Sequence, residues 1–143
     1  MMTADDLVVR EMQVAAEAAM NNAYCRYSDF RVGAAVLSAG GQIFAGCNVE
    51  NASYGLTMCA ERNAIFQAVA AGAVTKDRKL KAVVIVTPAP KLTAPCGACR
   101  QVIYEFSEEA DPDIFIFGQG NKVASFKLST LLPEAFGPKD LGK

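Results

Sequence analysis

Apolar residues recur every three or four positions at Val8, Met12, Ala15, Ala16, Ala19 and Ala23, the period of one helix face. Thr3 and Asp6 stand just ahead at capping-box spacing, so an amphipathic helix is expected to follow them and to end near Tyr24. The pattern then shortens. Val32–Leu37 and Gln42–Cys47 read as two strands, and Gly40-Gly41 between them predicts a hairpin. A second helix is expected from about Cys59 to Ala71, punctuated by Gly72. Lys81–Thr87 is a β-branched run, the mark of a strand covered on both faces. Gly97–Phe106 reads as helix, Asp113–Gly118 as a short strand, and Val123–Phe126 as a fifth strand. Strands alternating with helices predict a layered α/β domain around a central sheet. No repeat, linker or low-complexity run divides residues 1–143, which read as a single domain.

Composition narrows the possible partners. Fourteen basic and fifteen acidic residues leave a net charge of −1, so no broad basic field exists to hold a nucleic-acid backbone or an anionic membrane. The densest basic cluster, Lys76, Arg78, Lys79 and Lys81, is interrupted by Asp77 and reads as a solvated turn. The hydrophobic fraction of 52% is slightly high and points to apolar surface buried between subunits. Met1–Asp6 is acidic and lacks an apolar targeting segment, and no run approaches the roughly 18 apolar residues of a membrane span. The expected compartment is the reducing cytoplasm. The chain has no histidine, so whatever it catalyses proceeds without imidazole.

Five cysteines, an odd number at uneven spacing, favour metal or redox chemistry over a disulfide framework. Cys96-Gly-Ala-Cys99 on a helical turn puts both sulfurs on one face, and Pro95 suits the entry to that helix. With Cys59 they make a thiolate triad that can hold zinc tetrahedrally and leave a fourth position for water. Helix N-termini favour the thiolate form. Glu61 shares the first helical turn with Cys59, where a carboxylate can approach the open position and move protons without ligating the metal. Three thiolates and Zn²⁺ sum to −1, and the guanidinium of Arg62 beside them would draw that charge back. Arg100 either shares this task or faces solvent. Cys25 and Cys47 read as buried small apolar residues.

Cys59-Ala-Glu61 and Pro95-Cys96-Gly-Ala-Cys99 form the three-cysteine version of the zinc nucleoside and nucleobase deaminase signature. More narrowly, the chain resembles the small homotetrameric cytidine deaminases. The resemblance is carried by Tyr27-Ser-Asp-Phe30-Arg-Val-Gly-Ala34, Gly46-Cys-Asn48-Val-Glu50-Asn51-Ala-Ser-Tyr54, Cys59-Ala-Glu61-Arg62, Pro95–Gln101 and Leu131–Pro138. It is weakest between about Ala73 and Leu92 and between Ser107 and Lys127. Arg26 departs from it, where many relatives carry proline ahead of the Tyr-Ser pair.

The resemblance implies a three-layer α/β/α sandwich with a central mixed five-stranded sheet. It implies one zinc per chain on Cys59, Cys96 and Cys99, with Glu61 as proton shuttle. Asn48 and Glu50 would bind the ribose hydroxyls, Phe30 would pack on the pyrimidine or sugar, and the backbone near Ala60 would hold the base edge. Tyr54 and Phe136 would reach a neighbouring subunit's pocket. The reaction implied is hydrolytic deamination of free cytidine and 2′-deoxycytidine to uridine and 2′-deoxyuridine, with release of ammonia, in pyrimidine salvage.

Plainer alternatives stand beside each role. The Cys-x-x-Cys pair could be a redox couple, and Glu61 a solvated acid at a helix start. Arg62 could simply be solvated, Phe30 and Phe136 could be core residues, and Asn48 could only end a strand. A structural zinc protein would need a fourth ligand, and none is obvious. Two other deaminase classes share the signature, those acting on aminonucleoside antibiotics and those editing polynucleotides. The Asn48–Asn51 segment weighs against the first and the near-neutral charge against the second.

Overall fold

The computed structural model describes residues 2–143. Five strands form one mixed sheet in the order β2-β1-β3-β4-β5. Strands β1 (Gly33–Ser38) and β2 (Ile43–Cys47) make the expected hairpin, and β1 also pairs antiparallel with β3 (Leu80–Val86). Parallel pairing joins β3 to β4 (Asp113–Phe117), and β5 (Val123–Lys127) returns antiparallel to β4. Helix α1 (Leu7–Met20) covers one face. On the other lie α2 (Ala60–Ala70), α3 (Gly97–Glu105) and the short α4 (Leu128–Leu131). The α/β/α layering and the mixed five-stranded sheet are as expected.

Alternation along the strands feeds the two layers. Ala34, Val36, Val83, Ile85, Ile114 and Ile116 face the α2–α3 side, packing on Ala64, Ile65, Ala68 and Ile103. Ala35, Leu37, Val84 and Phe115 face α1 and meet Val9, Met12 and Ala16. Strand β3 is buried throughout except at Lys81, which explains why its sequence is an unbroken apolar run rather than an alternating one.

The first helix departs from its expected bounds. Asp6, not Thr3, is its N-cap, and Thr3 donates its N–H and its hydroxyl to the Asp6 carboxylate to close a turn before the helix begins. It ends at Met20, short of Tyr24, because Arg31 reaches across to the carbonyls of Asn21 and Ala23 and turns the chain. Tyr24 then bridges Val49 rather than extending the helix. Helix α2 closes in a Schellman arrangement, with the Gly72 N–H on the Val69 carbonyl and the Ala73 N–H on that of Ala68. Of the basic cluster, Lys76, Arg78 and Lys79 lie in the turn before β3, whereas Lys81 is on the strand itself, and Lys79 pairs with Glu108 at 2.7 Å.

Glycine decides how closely α2 approaches the sheet. A Cβ on Gly46 would stand 2.6 Å from the Ala64 nitrogen and 3.0 Å from the Ala60 carbonyl oxygen. The helix therefore lies directly on the β2 backbone, and the Asn63 side chain fastens it there by donating to the Cys47 carbonyl at 2.8 Å. Gly46→Ala is expected to cost about 1–3 kcal/mol by overpacking, seen as a lower midpoint in urea unfolding. Because the same contact places the start of α2, zinc bound per chain should fall in the folded variant.

Candidate metal centre and substrate cavity

Helices α2 and α3 begin at the same place. Cys59 is the N-cap of α2 and Cys96 the N-cap of α3, both in extended backbone, and Cys99 lies in the first turn of α3. The three Sγ atoms lie within 4.8 Å of one another. Cys59 Sγ and Cys96 Sγ are 3.8 Å apart. That is about the edge of a tetrahedron with metal–sulfur bonds of roughly 2.3 Å, so the donor set fits zinc. Among the described residues the cluster has three donors and no fourth. Cys25 and Cys47 are not part of it; Cys25 is buried as expected, whereas Cys47 is half-buried.

Electrostatics around the sulfurs favour anions. Arg62 Nη2 donates to Cys59 Sγ at 3.3 Å. Hydrogen bonding from Cys99, then from Arg62 and Cys96, brings the Cys59 thiol down to about 5 against the burial that opposes it. Cys99 moves the other way, because it hydrogen-bonds the Cys59 thiolate and is itself buried. The two thiols of this pair are thus pushed in opposite directions. The Arg62 guanidinium is held charged, chiefly by its bond to Cys59. Arg100 neither compensates this charge nor faces solvent. It is a strut, donating from Nε to the Pro95 carbonyl at 2.7 Å and from Nη1 to that of Leu131 at 2.8 Å.

Glu61 is 5% exposed, and burial is the main force raising its carboxyl above the usual range. It lines a cavity of about 280 Å³ together with Cys59, Ala60 and Cys96. Phe30, Asn48 and Glu50 line the same cavity, so seven of the eleven residues singled out from the sequence form its walls.

 An eighth, Cys99, completes the thiol cluster with Cys59 and Cys96. Arg62 stands behind Cys59. Tyr54 and Phe136 lie outside the cavity, 76% and 59% exposed. Tyr54 borders a neighbouring hollow that shares Ser28, Glu50 and Thr57 with it. Phe136 sits on the C-terminal strap, whose backbone is tied to α3 by Gln101 Nε2 donating to the Phe136 carbonyl at 2.8 Å.

The polar side chains at the mouth are already partly engaged. Asn48 accepts from the Val32 N–H at 2.9 Å and donates to the Phe30 carbonyl at 2.8 Å. An amide has further capacity, one N–H and one lone pair, to offer a ligand. Glu50 Oε1 accepts from the N–H groups of Tyr27 and Ser28, at 2.9 and 3.1 Å, and Oε2 accepts from the Ser28 hydroxyl. The Ser28 hydroxyl above all, helped by those backbone N–H groups, holds the Glu50 carboxyl below its ordinary range despite partial burial. Ser28, Thr57, Met58, Thr87, Thr93 and Ala94 also line the cavity without having been singled out from the sequence. Only Ser28 had a signal there, its place inside the Tyr27–Ala34 motif.

A thiol triad at two helix N-termini, with a buried carboxyl beside it and a small cavity in front, defines a metal-dependent hydrolytic centre. Comparison with known proteins makes this specific. Residues 8–111 match the family model described as the cytidine and deoxycytidylate deaminase zinc-binding region. Over 133 residues the chain is 40% identical to a cytidine deaminase of Sporosarcina psychrophila, covering 93% of this chain and 94% of that one. It is 42% identical over 123 residues to a cytidine deaminase of Halalkalibacterium halodurans, covering 86% and 89%. The structure of a cytidine deaminase from Burkholderia pseudomallei superposes with a TM-score of 0.81 at 42% identity, covering 89% of this chain and 98% of that one. The chain therefore belongs to the cytidine and deoxycytidylate deaminase family. It is a hydrolytic deaminase, and its thiol cluster is a site for one zinc ion per chain.

Arg62→Ala removes a donor to the Cys59 thiolate. In metal-free protein, the pH midpoint for alkylation of Cys59, followed by peptide mass spectrometry, should lie near 5 and move upward in the variant. The sign follows from charge: a guanidinium stabilises the thiolate, so its loss favours the proton.

Proposed function

We propose that this enzyme deaminates free cytidine and 2′-deoxycytidine to uridine and 2′-deoxyuridine, releasing ammonia, as a single-domain enzyme of pyrimidine salvage. One observation carries the choice of a free nucleoside: the cavity is lined by Asn48 and Glu50 together with Cys59, Glu61 and Cys96, and no lysine or arginine contributes to its wall. A phosphate on the ligand would meet the Glu50 carboxylate rather than a cation. Polynucleotide substrates are disfavoured for the same reason, since their backbones need basic partners.

In this reading the base enters toward the thiols and the sugar stays at Asn48 and Glu50. Phe30 offers an apolar wall to the ring or sugar, and the start of α2 at Ala60 offers backbone groups to the base edge. Cys59, Cys96 and Cys99 would hold zinc, which supplies an acidified water next to Glu61. Glu61 would take a proton from the attacking water as its oxygen bonds to C4, and would pass the proton to ring N3. It then carries the second water proton to the exocyclic amine as the C4–N bond breaks, and ends in its starting state. One water is consumed and one ammonia leaves. Burial suits Glu61 to this work, because it raises the carboxyl above its usual range and makes it a stronger proton acceptor.

A homotetramer fits the exposure of Tyr54 and Phe136, which a neighbouring subunit's cavity would cover. The absence of any helix long and apolar enough to cross a membrane, among the described residues, is compatible with a cytoplasmic enzyme.

Turnover of cytidine by the zinc-loaded protein, followed by ultraviolet absorbance, tests the reaction. Glu61→Gln should keep zinc and lose kcat by about 10²–10⁴-fold, the usual worth of a placed acid–base group. Near-normal turnover in the zinc-loaded variant would remove Glu61 from the mechanism. Cys96→Ser should lose both zinc and thermal stability, because metal binding and folding are coupled.

A further inference from the structure

Ser28 stands at a junction of three groups. Its Oγ donates to Glu50 Oε2 and accepts from the Phe30 N–H at 3.1 Å. The Phe30 N–H fixes the hydroxyl from behind, so its single proton is directed at Glu50. Between them Asp29 adopts φ 57°, folding the loop back, and the Asp29 N–H donates to the Cys25 carbonyl at 2.7 Å. The result is a short closed loop, residues 25–30, wrapped on one carboxylate.

Glu50 has no other side-chain partner among the described residues. A carboxylate offers about four lone-pair positions. Two N–H groups occupy Oε1 and the Ser28 hydroxyl occupies one position on Oε2, leaving one on Oε2 for a ligand hydroxyl. Rotation of the carboxylate is therefore blocked at both oxygens, and the free lone pair has one direction. Ser28 lines the cavity beside Glu50.

We propose that Ser28 is a positioning residue for the sugar: its hydroxyl orients the Glu50 carboxylate so that the remaining Oε2 lone pair meets a ribose hydroxyl. This rests on the reading of Glu50 as a sugar contact. Ser28 has no part in the proton transfers at Glu61, so its effect falls on binding and not on the chemical step.

The test uses full-length, zinc-loaded enzyme with two nucleosides, cytidine and 2′,3′-dideoxycytidine, the latter lacking both secondary ribose hydroxyls. Ser28→Ala should raise KM for cytidine about tenfold, the scale of a lost hydrogen bond to a charged group. Its kcat should stay within about twofold, and KM for the dideoxy compound should barely change. Ser28→Thr, which keeps the hydroxyl, should restore the wild-type KM for cytidine. Carbon-detected NMR of the Glu50 carboxyl should show its titration moving upward in Ser28→Ala, a readout independent of turnover. An equal rise of KM for both nucleosides, a fall in kcat, or an unmoved Glu50 titration would each overturn the proposal. Glu50→Gln separates the two levels. If it discriminates between the nucleosides while Ser28→Ala does not, the positioning role fails alone; if it does not discriminate, the sugar reading of Glu50 fails with it.

Discussion

Crowding of negative charge in one small space governs this molecule. Three cysteine sulfurs lie within 4.8 Å of one another, and the Glu61 carboxyl is buried next to them. Like charges so placed cannot all ionise in an apolar setting. The two partnered thiols answer in opposite directions, Cys59 held low and Cys99 pushed up. Three fixed sources of positive potential allow even that: the N-termini of α2 and α3, both opening on the cluster, and the Arg62 guanidinium. Zinc adds two positive charges, and with three thiolates the sum is still −1. Arg62 and the helix ends thus face net negative charge in the loaded site as well.

That requirement is met by placement rather than by many charged residues. The sheet supplies a floor, with Ile85 and Thr87 of the β3 end exposed to the cavity. Gly46 lets α2 lie on the β2 backbone, which sets the height of Cys59 and Glu61 above that floor. Arg100 braces the loop at Pro95 against the end of α4, which sets the height of Cys96. Each helix start is held by a contact with another segment, so the sulfurs converge without a covalent link between them. Residues that never touch a ligand thereby decide whether the metal site exists.

Much of this was legible in the sequence, for reasons specific to each element. The run Lys81–Thr87 announced a doubly covered strand because burial on both faces leaves no polar alternation. Cys96 and Cys99 announced a common direction because one helical turn dictates it. What escaped depends on contacts between distant segments. Local spacing carries α1 on to Tyr24, and only the reach of Arg31 to Asn21 and Ala23 stops it at Met20. Arg100 read either as a charge beside the metal or as a solvent-facing one, whereas the carbonyls of Pro95 and of Leu131 at the end of α4 absorb it. Thr87 and Thr93 carry no motif at all; they belong to the cavity because the end of β3 and the loop before α3 meet there.

Polarity along the cavity has a direction that bears on selectivity. At the thiol end, Arg62 and two helix N-termini favour thiolate sulfur, and the thiolates can draw in a metal cation. At the mouth, Glu50 is kept ionised by the Ser28 hydroxyl and two backbone N–H groups, and no cation balances it within the wall. An ionised carboxylate is an acceptor only, so it favours hydroxyl donors and repels phosphate. The same loop that fixes this carboxylate also holds the Phe30 backbone, through Ser28 on its N–H and Asn48 on its carbonyl. The Glu50 carboxylate and the apolar Phe30 wall of the cavity are therefore held by one hydrogen-bonded loop, and a change that loosens one loosens the other.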